Sequence, residues 1–156
     1  MTKFDEHYMQ EAIKEAVRAF DADEVPVGAV VVHKGRIIGK AHNQIRLLKD
    51  PTAHAEMIAL TQAAAHLGNE RLLDTTVYVT IEPCAMCGGG MILGRVKRLV
   101  FGAADLKTGA FGSALNLNKL NLNHKIAVTK GILKDDCAVL LKEFFSIKRR
   151  RTVFLR

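Results

Sequence analysis

The sequence has neither a long apolar run nor the pattern of a secretory signal. None of its apolar stretches approaches the ~20 residues that a transmembrane helix requires. The acidic residues Asp5 and Glu6 lie where a signal peptide would carry its apolar segment. We therefore expect a cytoplasmic protein that does not interact with a membrane.

Internal repeats, low-complexity tracts and linkers rich in proline or serine are also missing, and only 3 of the 156 residues are prolines. A chain of this length can bury a substantial core, and its composition, 49% hydrophobic and 25% charged, is ordinary for a globular protein. We expect one domain over residues 1–156, ending in a basic segment at about residues 142–156.

Cysteine is scarce, and its count is odd: the chain has Cys84, Cys87 and Cys137. In a reducing compartment, a Cys-x-x-Cys spacing indicates metal binding or redox chemistry rather than structural disulfides. A redox pair would follow an early strand, whereas Cys84 follows Glu82 and Pro83 in the middle of the chain. Metal binding is the favoured interpretation, and a redox pair or two buried thiols are the alternatives.

The net charge of +7 is unevenly distributed along the chain. Residues 1–30 carry three basic and seven acidic side chains, whereas residues 95–156 carry fourteen basic and four acidic ones. A run of four bases occupies residues 148–151. Such asymmetry is typical of proteins that bind a polyanion, although basic surfaces also serve solubility and bases near a helix end complement its dipole.

Hydrophobic periodicity and turn residues predict an alternation of helices and strands. The predicted helices cover residues 5–20, 53–66 and 135–149, and a further helix begins near Cys84. The predicted strands are a hairpin over residues 27–33 and 36–41, followed by residues 76–81, 99–103 and 126–129. Residues 104–125 are predicted to be a loop with room for one short helical turn. This order predicts a single α/β domain with a mixed sheet and helices on both faces, a three-layer α/β/α arrangement.

Two short motifs, His54-Ala55-Glu56 and Cys84-Ala85-Met86-Cys87, carry the strongest chemical signal. Cys84 and Cys87 lie three residues apart at a predicted helix start, so both sulfurs face one side, and the positive end of the helix favours thiolates. Together with His54 they provide one imidazole and two thiolates, a set that suits Zn²⁺. Three protein ligands leave the fourth tetrahedral position open, as in catalytic zinc sites, where the pKa of a water molecule falls to roughly 7.

Glu56 follows His54 by two residues, a separation that would aim the two side chains apart in the middle of a helix. They can converge only at a helix start, which is where Pro51 and Thr52 put them. Glu56 is then a free carboxylate beside the open metal position, able to take a proton from water and pass it to a leaving amine. Cys137 lies in an apolar segment and is predicted to be a buried core thiol.

These motifs resemble those of the zinc-dependent nucleobase deaminases of the cytidine and deoxycytidylate deaminase superfamily, which share H-x-E and P-C-x-x-C. Over nearly its whole length the chain looks like a member of the bacterial tRNA-specific adenosine deaminase family. The stretches that carry this closer resemblance are EVPVGAV (residues 24–30), DPTAHAE (50–56), EPCAMC (82–87), VFGA (100–103), KTGA (107–110) and GIL (131–133).

The resemblance implies a cytidine-deaminase-like fold with a mixed five-stranded sheet, a homodimer, and hydrolytic deamination of adenosine to inosine at the wobble position of a tRNA anticodon. It implies one Zn²⁺ per chain, held by His54, Cys84 and Cys87, with Glu56 as the proton shuttle. It also assigns tRNA contacts: Val27 and Gly28 cradle the flipped base, Asn43 hydrogen-bonds to it, Asp105 lies near the sugar, and Phe144, Phe145 and the following bases, including Arg149, meet the anticodon loop.

Several of these residues have simpler interpretations when the resemblance is set aside. Asn43 would satisfy backbone groups at a hairpin end. One of the adjacent Phe144 and Phe145 must face the core of an amphipathic helix. The run of bases over residues 148–151 would only complement the dipole of the last helix.

The sequence departs from the family at two places. Gly88-Gly89-Gly90 replaces a segment that is richer in alanine, and each glycine inside a helix costs roughly 0.5–1 kcal/mol relative to alanine unless close packing requires the missing Cβ atoms. The asparagine-rich stretch over residues 115–123 matches no motif.

Two other functions remain open at this point. One is a deaminase of a free base or nucleoside, guanine or cytosine, which would not need a basic surface to attract its substrate. The other is a zinc module that binds RNA without catalysis, which would have no use for a free carboxylate such as Glu56 at an open metal position.

Overall fold

The computed structural model describes the backbone of residues 3–154 and the side chains of residues 3–152. Residues 155 and 156 of the predicted basic segment lie outside it. The described residues form five strands: β1 (Gly28–His33), β2 (Arg36–His42), β3 (Thr75–Ile81), β4 (Arg98–Ala103) and β5 (Ala127–Lys130). The helices are α1 (Lys3–Asp21), α2 (Ile45–Leu48), α3 (Ala55–Leu67), α4 (Ala85–Leu93) and α5 (Lys134–Phe154), with one 3₁₀ turn at Leu117–Lys119.

All five strands form one mixed sheet in the order β2-β1-β3-β4-β5. Strand β1 is antiparallel to both β2 and β3, whereas β3, β4 and β5 run parallel to one another. Apolar residues of β1, β3 and β4 are buried on both faces, as expected for inner strands, while the edge strands β2 and β5 are partly exposed. The predicted mixed sheet is confirmed.

Two hydrophobic cores lie on opposite faces of the sheet. Helices α3 and α4 cover one face, where Ala59, Met91 and Phe101 are buried together. Helices α1 and α5 cover the other, where Met9, Val100 and Cys137 are buried. This is the three-layer α/β/α architecture of the sequence prediction, and Cys137, 1% exposed, is the core thiol that was expected.

The ion pair of Asp5 with Arg98 anchors α1 to the sheet. Both guanidinium nitrogens of Arg98 donate to the Asp5 carboxylate over 2.8 Å, and the Tyr78 hydroxyl donates to it over 2.9 Å. Asp5 is 1% exposed, so its charge is stabilised by these donors rather than by water.

The predicted element boundaries hold within a few residues, with two differences. Helix α5 continues to Phe154 rather than ending at Arg149, so the four bases at residues 148–151 are helical. The four-residue helix α2 was not predicted, because one turn is too short to show a hydrophobic period. Within the described residues, no helix is both long enough and apolar enough to span a membrane.

Two of the four asparagines in residues 115–123, Asn116 and Asn118, bind backbone groups through their side chains. The Asn118 side chain donates to the Ile126 carbonyl and accepts from the Ile126 N–H. The Asn116 side chain accepts from the Asn118 N–H. These contacts hold Leu117, 8% exposed, against the glycine segment of α4. A Cβ on Gly88 would come within 2.6 Å of the Leu117 side chain.

Gly88 and Gly89 of α4 differ in the space that a Cβ would find, so we predict opposite effects of alanine at these two positions. We expect Gly88→Ala to lower the free energy of unfolding by about 1–2 kcal/mol, since overpacking outweighs the gain in helix propensity. Gly89→Ala, where a Cβ meets nothing within 4 Å, should raise it by roughly 0.5–1 kcal/mol. Chemical denaturation measures both, and equal effects of the two variants would contradict the packing described here.

Candidate functional site

Four chain segments meet at the end of the sheet where β3 and β4 finish. Because β1 is antiparallel to β3, its start lies beside the end of β3, and the Gly28 N–H donates to the Thr80 hydroxyl over 3.1 Å. The end of β2 is adjacent, since Gly28 pairs with His42. A cleft of about 260 Å³ opens at this edge, and its lining includes Val27, Asn43, His54, Glu56, Cys84 and Asp105.

The three predicted metal donors lie at the starts of two helices. His54 is the N-cap of α3, Cys84 is the N-cap of α4, and Cys87 is in the first turn of α4. The His54 Nδ1 lies 3.7 Å from the Cys84 Sγ and 3.4 Å from the Cys87 Sγ, and donor atoms of all three residues lie within 4.8 Å of one another.

These distances fit a tetrahedral cation. With metal–nitrogen and metal–sulfur bonds of about 2.0 and 2.3 Å, neighbouring ligand atoms of tetrahedral Zn²⁺ lie roughly 3.6 Å apart. The donor set of one imidazole and two thiols suits the same ion. His54, Cys84 and Cys87 could therefore hold a metal ion without rearrangement of the two helices.

The thiols of Cys84 and Cys87 share a hydrogen bond that sets their ionisation. Hydrogen bonds to Cys87 and His54 lower the pKa of Cys84 to about 4, which makes it a thiolate at neutral pH. The contact with Cys84, together with burial, raises the pKa of Cys87. One proton lies between the two sulfurs, so the hydrogen bond lowers the pKa of Cys84 as it raises that of Cys87, and the predicted effect of the helix start on both thiols stays a prediction. Coordination of a metal ion displaces such a proton.

Glu56 lies beside this donor cluster, as predicted from the position of His54 and Glu56 at the start of one helix. It is 3% exposed and lines the cleft together with His54. Burial raises the pKa of its carboxyl group. The hydrogen bond to Cys84 raises the pKa of His54. The arrangement puts a buried carboxyl group, a thiolate and an imidazole at one end of an apolar cleft.

Asn43 combines the two interpretations that its sequence position allows. Its Oδ1 accepts from the Ala55 N–H over 2.7 Å, which ties the end of β2 to the start of α3. Its Nδ2 donates to no residue in the described part of the chain, and the residue lines the cleft. The side chain thus holds a helix start with its oxygen and presents an N–H donor to whatever enters.

The structure brings some of the other predicted contact residues to the cleft and not others. Val27 and Asp105 line it. Gly28 packs instead against α1, where a Cβ would lie 2.0 Å from the Ala12 carbonyl oxygen. Phe145 lines the cleft and is 43% exposed.

Phe144 requires a correction to the predicted tRNA contacts. It is 6% exposed and packs edge-on against Phe20, with ring centroids 6.0 Å apart. Of the two adjacent phenylalanines, the first packs on Phe20 and the second faces the cleft, because successive side chains of a helix with 3.6 residues per turn point about 100° apart.

The basic residues of α5 have different surroundings: two form ion pairs within the protein, and one lines a groove. Lys148 and Arg151 pair with Asp23 over 2.7 and 3.7 Å, so their charges are partly neutralised within the protein. Arg149 is exposed and lines a groove that continues from the cleft and also contains Lys107 and Phe145.

The apolar wall of the cleft and the carboxylate that holds it have no distinctive sequence motif. Val25, Ile45, Ile81 and Leu141 line the cleft but carry no sequence signal, because apolar residues are common at such positions. Glu24, 3% exposed, accepts from the N–H groups of Arg46 and Leu47 and so fixes α2 at the rim.

Comparison with known proteins agrees with this geometry. A family model described as MafB19-like deaminase matches residues 4–149. A curated tRNA-specific adenosine deaminase of Haemophilus influenzae is 47% identical over 95% of this chain and 87% of its own length.

Two solved structures share the fold. One, from a study of A-to-I editing by tRNA:A34 deaminases at the wobble position of transfer RNA, has a TM-score of 0.83 and 40% identity, over 86% of this chain and 99% of that chain. A guanine deaminase from Nitrosomonas europaea has a TM-score of 0.75 and 26% identity, over 89% of this chain and 83% of that chain. The protein belongs to the MafB19-like deaminases and, by its similarity over nearly the whole chain, to the family of tRNA-specific adenosine deaminases.

Proposed function

We propose that this protein converts adenosine to inosine by hydrolysis at the wobble position of a tRNA anticodon in the cytoplasm, with one Zn²⁺ per chain. The observation that carries the chemistry is the Glu56 carboxyl group, buried beside three metal donors at the end of an apolar cleft. Similarity to relatives named tRNA-specific adenosine deaminase supports the substrate.

His54, Cys84 and Cys87 would hold the ion, and their mutual distances suit it. Zn²⁺ in such a site supplies a Lewis acid that lowers the pKa of water toward neutrality. Cys137 contributes no ligand, because it is buried on the opposite face of the sheet.

Glu56 would move the protons of the reaction. Deamination by water requires a base that takes a proton from the attacking water and an acid that delivers one to the departing amine. Glu56 lies next to the donor cluster and lines the cleft, so one carboxyl group can serve both transfers.

The shape of the cleft suits a single flipped base. Its volume of about 260 Å³ is at the lower end of small-molecule pockets, and Val25, Ile45 and Ile81 offer apolar surface to a flat ring. The Asn43 Nδ2 provides a donor for an acceptor atom on the edge of the base. Val27 and Asp105 complete the lining.

The groove beside the cleft would bind the neighbouring RNA. Phe145 offers an exposed ring for stacking, and Arg149 and Lys107 offer charges to phosphates. RNA binding through this groove would use two of the fourteen bases in residues 95–156, Lys107 and Arg149.

The exposed side of α4 supports a homodimer. Leu93, the last residue of α4, is 78% exposed, so the end of this helix offers an apolar contact to a second copy. An exposed apolar helix face of this kind is typical of subunit contacts.

Deamination of a free base is the less favoured function. The guanine deaminase structure is 26% identical to this chain, against 40% for the tRNA deaminase structure. A small neutral base would also leave the groove with Arg149 and Lys107 without a role.

Replacement of Glu56 tests the proton shuttle. We expect Glu56→Gln to keep zinc and fold while deamination of a tRNA with an anticodon adenosine falls roughly 10²–10⁴-fold, because the amide cannot transfer protons. Metal analysis and inosine formation measure the two properties. Cys84→Ser, which removes a metal ligand, should lose both zinc and activity.

Glu15→Gln is the matched control, since Glu15 is equally buried at 3% exposure but lies in α1. A zinc-loaded Glu56→Gln protein with the activity of this control would refute the role of Glu56.

Two substitutions of Asn43 separate its structural bond from substrate binding. Asn43→Asp keeps an oxygen for the Ala55 N–H but removes the Nδ2 donor, so we expect a roughly tenfold or greater loss of kcat/KM with an almost unchanged Tm. Asn43→Ala should add a loss of about 1 kcal/mol in stability. Full activity of a folded Asn43→Asp protein would mean that the residue only holds the helix.

The groove predicts different effects for neighbouring residues of α5. Arg149→Ala should weaken tRNA binding and make the slope of log affinity against log salt shallower by about 0.7–0.9 for each phosphate that the variant no longer neutralises. Arg150→Ala, outside the groove lining, is the control and should change the slope less. Identical slopes for the two variants would argue against this path for the RNA.

Phe145→Ala should cost about 1–3 kcal/mol of binding without a change in salt slope. Phe144→Ala should instead lower stability by roughly 3–5 kcal/mol.

A further inference from the structure

The carboxylate of Glu82 is buried beneath the loop that forms one wall of the cleft. Glu82 is 2% exposed and lies directly after β3. Its Oε2 accepts from the N–H groups of Phe111 and Ser113 over 3.0 and 3.2 Å. Its Oε1 accepts from the Asp105 N–H over 3.3 Å and from the Ser113 hydroxyl. One side chain therefore binds both ends of the loop over residues 105–113.

Gly109 shows how tightly this loop is wrapped around the carboxylate. A Cβ at Gly109 would lie 2.3 Å from the carboxyl carbon of Glu82, a distance that no side chain can occupy. The Ala110 N–H donates to the Pro83 carbonyl over 2.8 Å and ties the loop to the residue before Cys84. The loop cannot move away from Glu82 without breaking these hydrogen bonds.

The part of the loop that faces the cleft is a rigid turn centred on Asp105. The Asp105 carboxylate accepts from the N–H groups of Lys107 and Thr108 and from the Thr108 hydroxyl. Asp105 and Thr108 both line the cleft. Since the turn is held together internally, the bond from the Asp105 N–H to Glu82 is the direct link that fixes this end of the loop to the buried carboxylate.

Glu82 also lies two residues before Cys84, so the same residue connects the metal donors to this wall. Its backbone N–H donates to the Ala103 carbonyl over 2.8 Å, which fixes the ends of β3 and β4 to each other. The distance between the donor cluster and the Asp105 turn is thus set through Glu82.

We propose that Glu82 is a positioning residue whose buried carboxylate holds the Asp105 turn in place as a wall of the cleft that receives the nucleotide undergoing deamination. This inference rests on the proposed function. It gives Glu82 the role of positioning a wall of the cleft rather than of transferring protons, because its oxygens accept from the loop donors.

Glu82→Gln removes one of these bonds selectively. The amide oxygen can still accept from Phe111 and Ser113, and the amide NH₂ can donate to the Ser113 hydroxyl, which rotates to accept. The same NH₂ faces the Asp105 N–H, and two donors repel each other. The substitution therefore releases the Asp105 turn while it preserves the size of the side chain.

We expect the amide of Asp105 to lose hydrogen-exchange protection in Glu82→Gln, while the amides of Phe111 and Ser113 keep theirs. With an anticodon stem-loop RNA as the substrate, KM should rise by about 10- to 100-fold, as for the removal of a charge-assisted hydrogen bond, with kcat within about threefold of the wild type. Zinc content should remain one per chain. Gly109→Ala, which pushes the loop off the carboxylate, should raise KM in the same direction.

Asp5→Asn is the matched control, because Asp5 is similarly buried but pairs with Arg98 on the α1 side of the sheet. It should lower Tm and leave KM unchanged. An unchanged KM in Glu82→Gln, or a loss of zinc and kcat in place of a KM effect, would overturn the inference. Failure of the wild-type protein to deaminate the RNA would refute the proposed function. The role of Glu82 would still be tested by comparing the affinity of the same RNA for the wild-type and Glu82→Gln proteins.

Discussion

The close approach of His54 to Cys84 and Cys87 is the constraint on which the rest of the site depends. It requires the starts of α3 and α4 to lie so close that the His54 Nδ1 comes within 3.7 Å of both Sγ atoms. The sheet achieves this because α4 connects the parallel strands β3 and β4 and α3 packs beside it on the same face. Glu56, two residues beyond His54, is placed beside the donors by the same geometry.

Buried carboxylates hold the walls of the cleft against this rigid centre. Glu24 fixes α2 on one side and Glu82 fixes the loop over residues 105–113 on the other, each by accepting backbone N–H groups. A buried charge is costly unless such donors surround it, so each carboxylate stabilises the backbone conformation that supplies its donors. Apolar side chains such as Val25, Ile45 and Ile81 complete the lining of the cleft.

Much of the site could be predicted from the sequence because its chemistry lies in short local motifs. The spacing of His54, Glu56, Cys84 and Cys87 is meaningful at helix starts, and helix starts have local signals. Roles that depend on tertiary packing were not accessible. No pattern distinguishes Phe144, which packs on Phe20, from Phe145, which faces the cleft.

Deamination of adenosine within tRNA is the activity that this cleft is proposed to perform, and a comparison of substrates tests it. Purified zinc-loaded protein is incubated separately with tRNA carrying an anticodon adenosine, with free adenosine, with guanine and with cytosine, and each deaminated product is identified. We expect inosine at the wobble position of the tRNA and no comparable turnover of the three small substrates. Efficient conversion of free guanine or cytosine, with the tRNA adenosine left intact, would refute the proposed substrate.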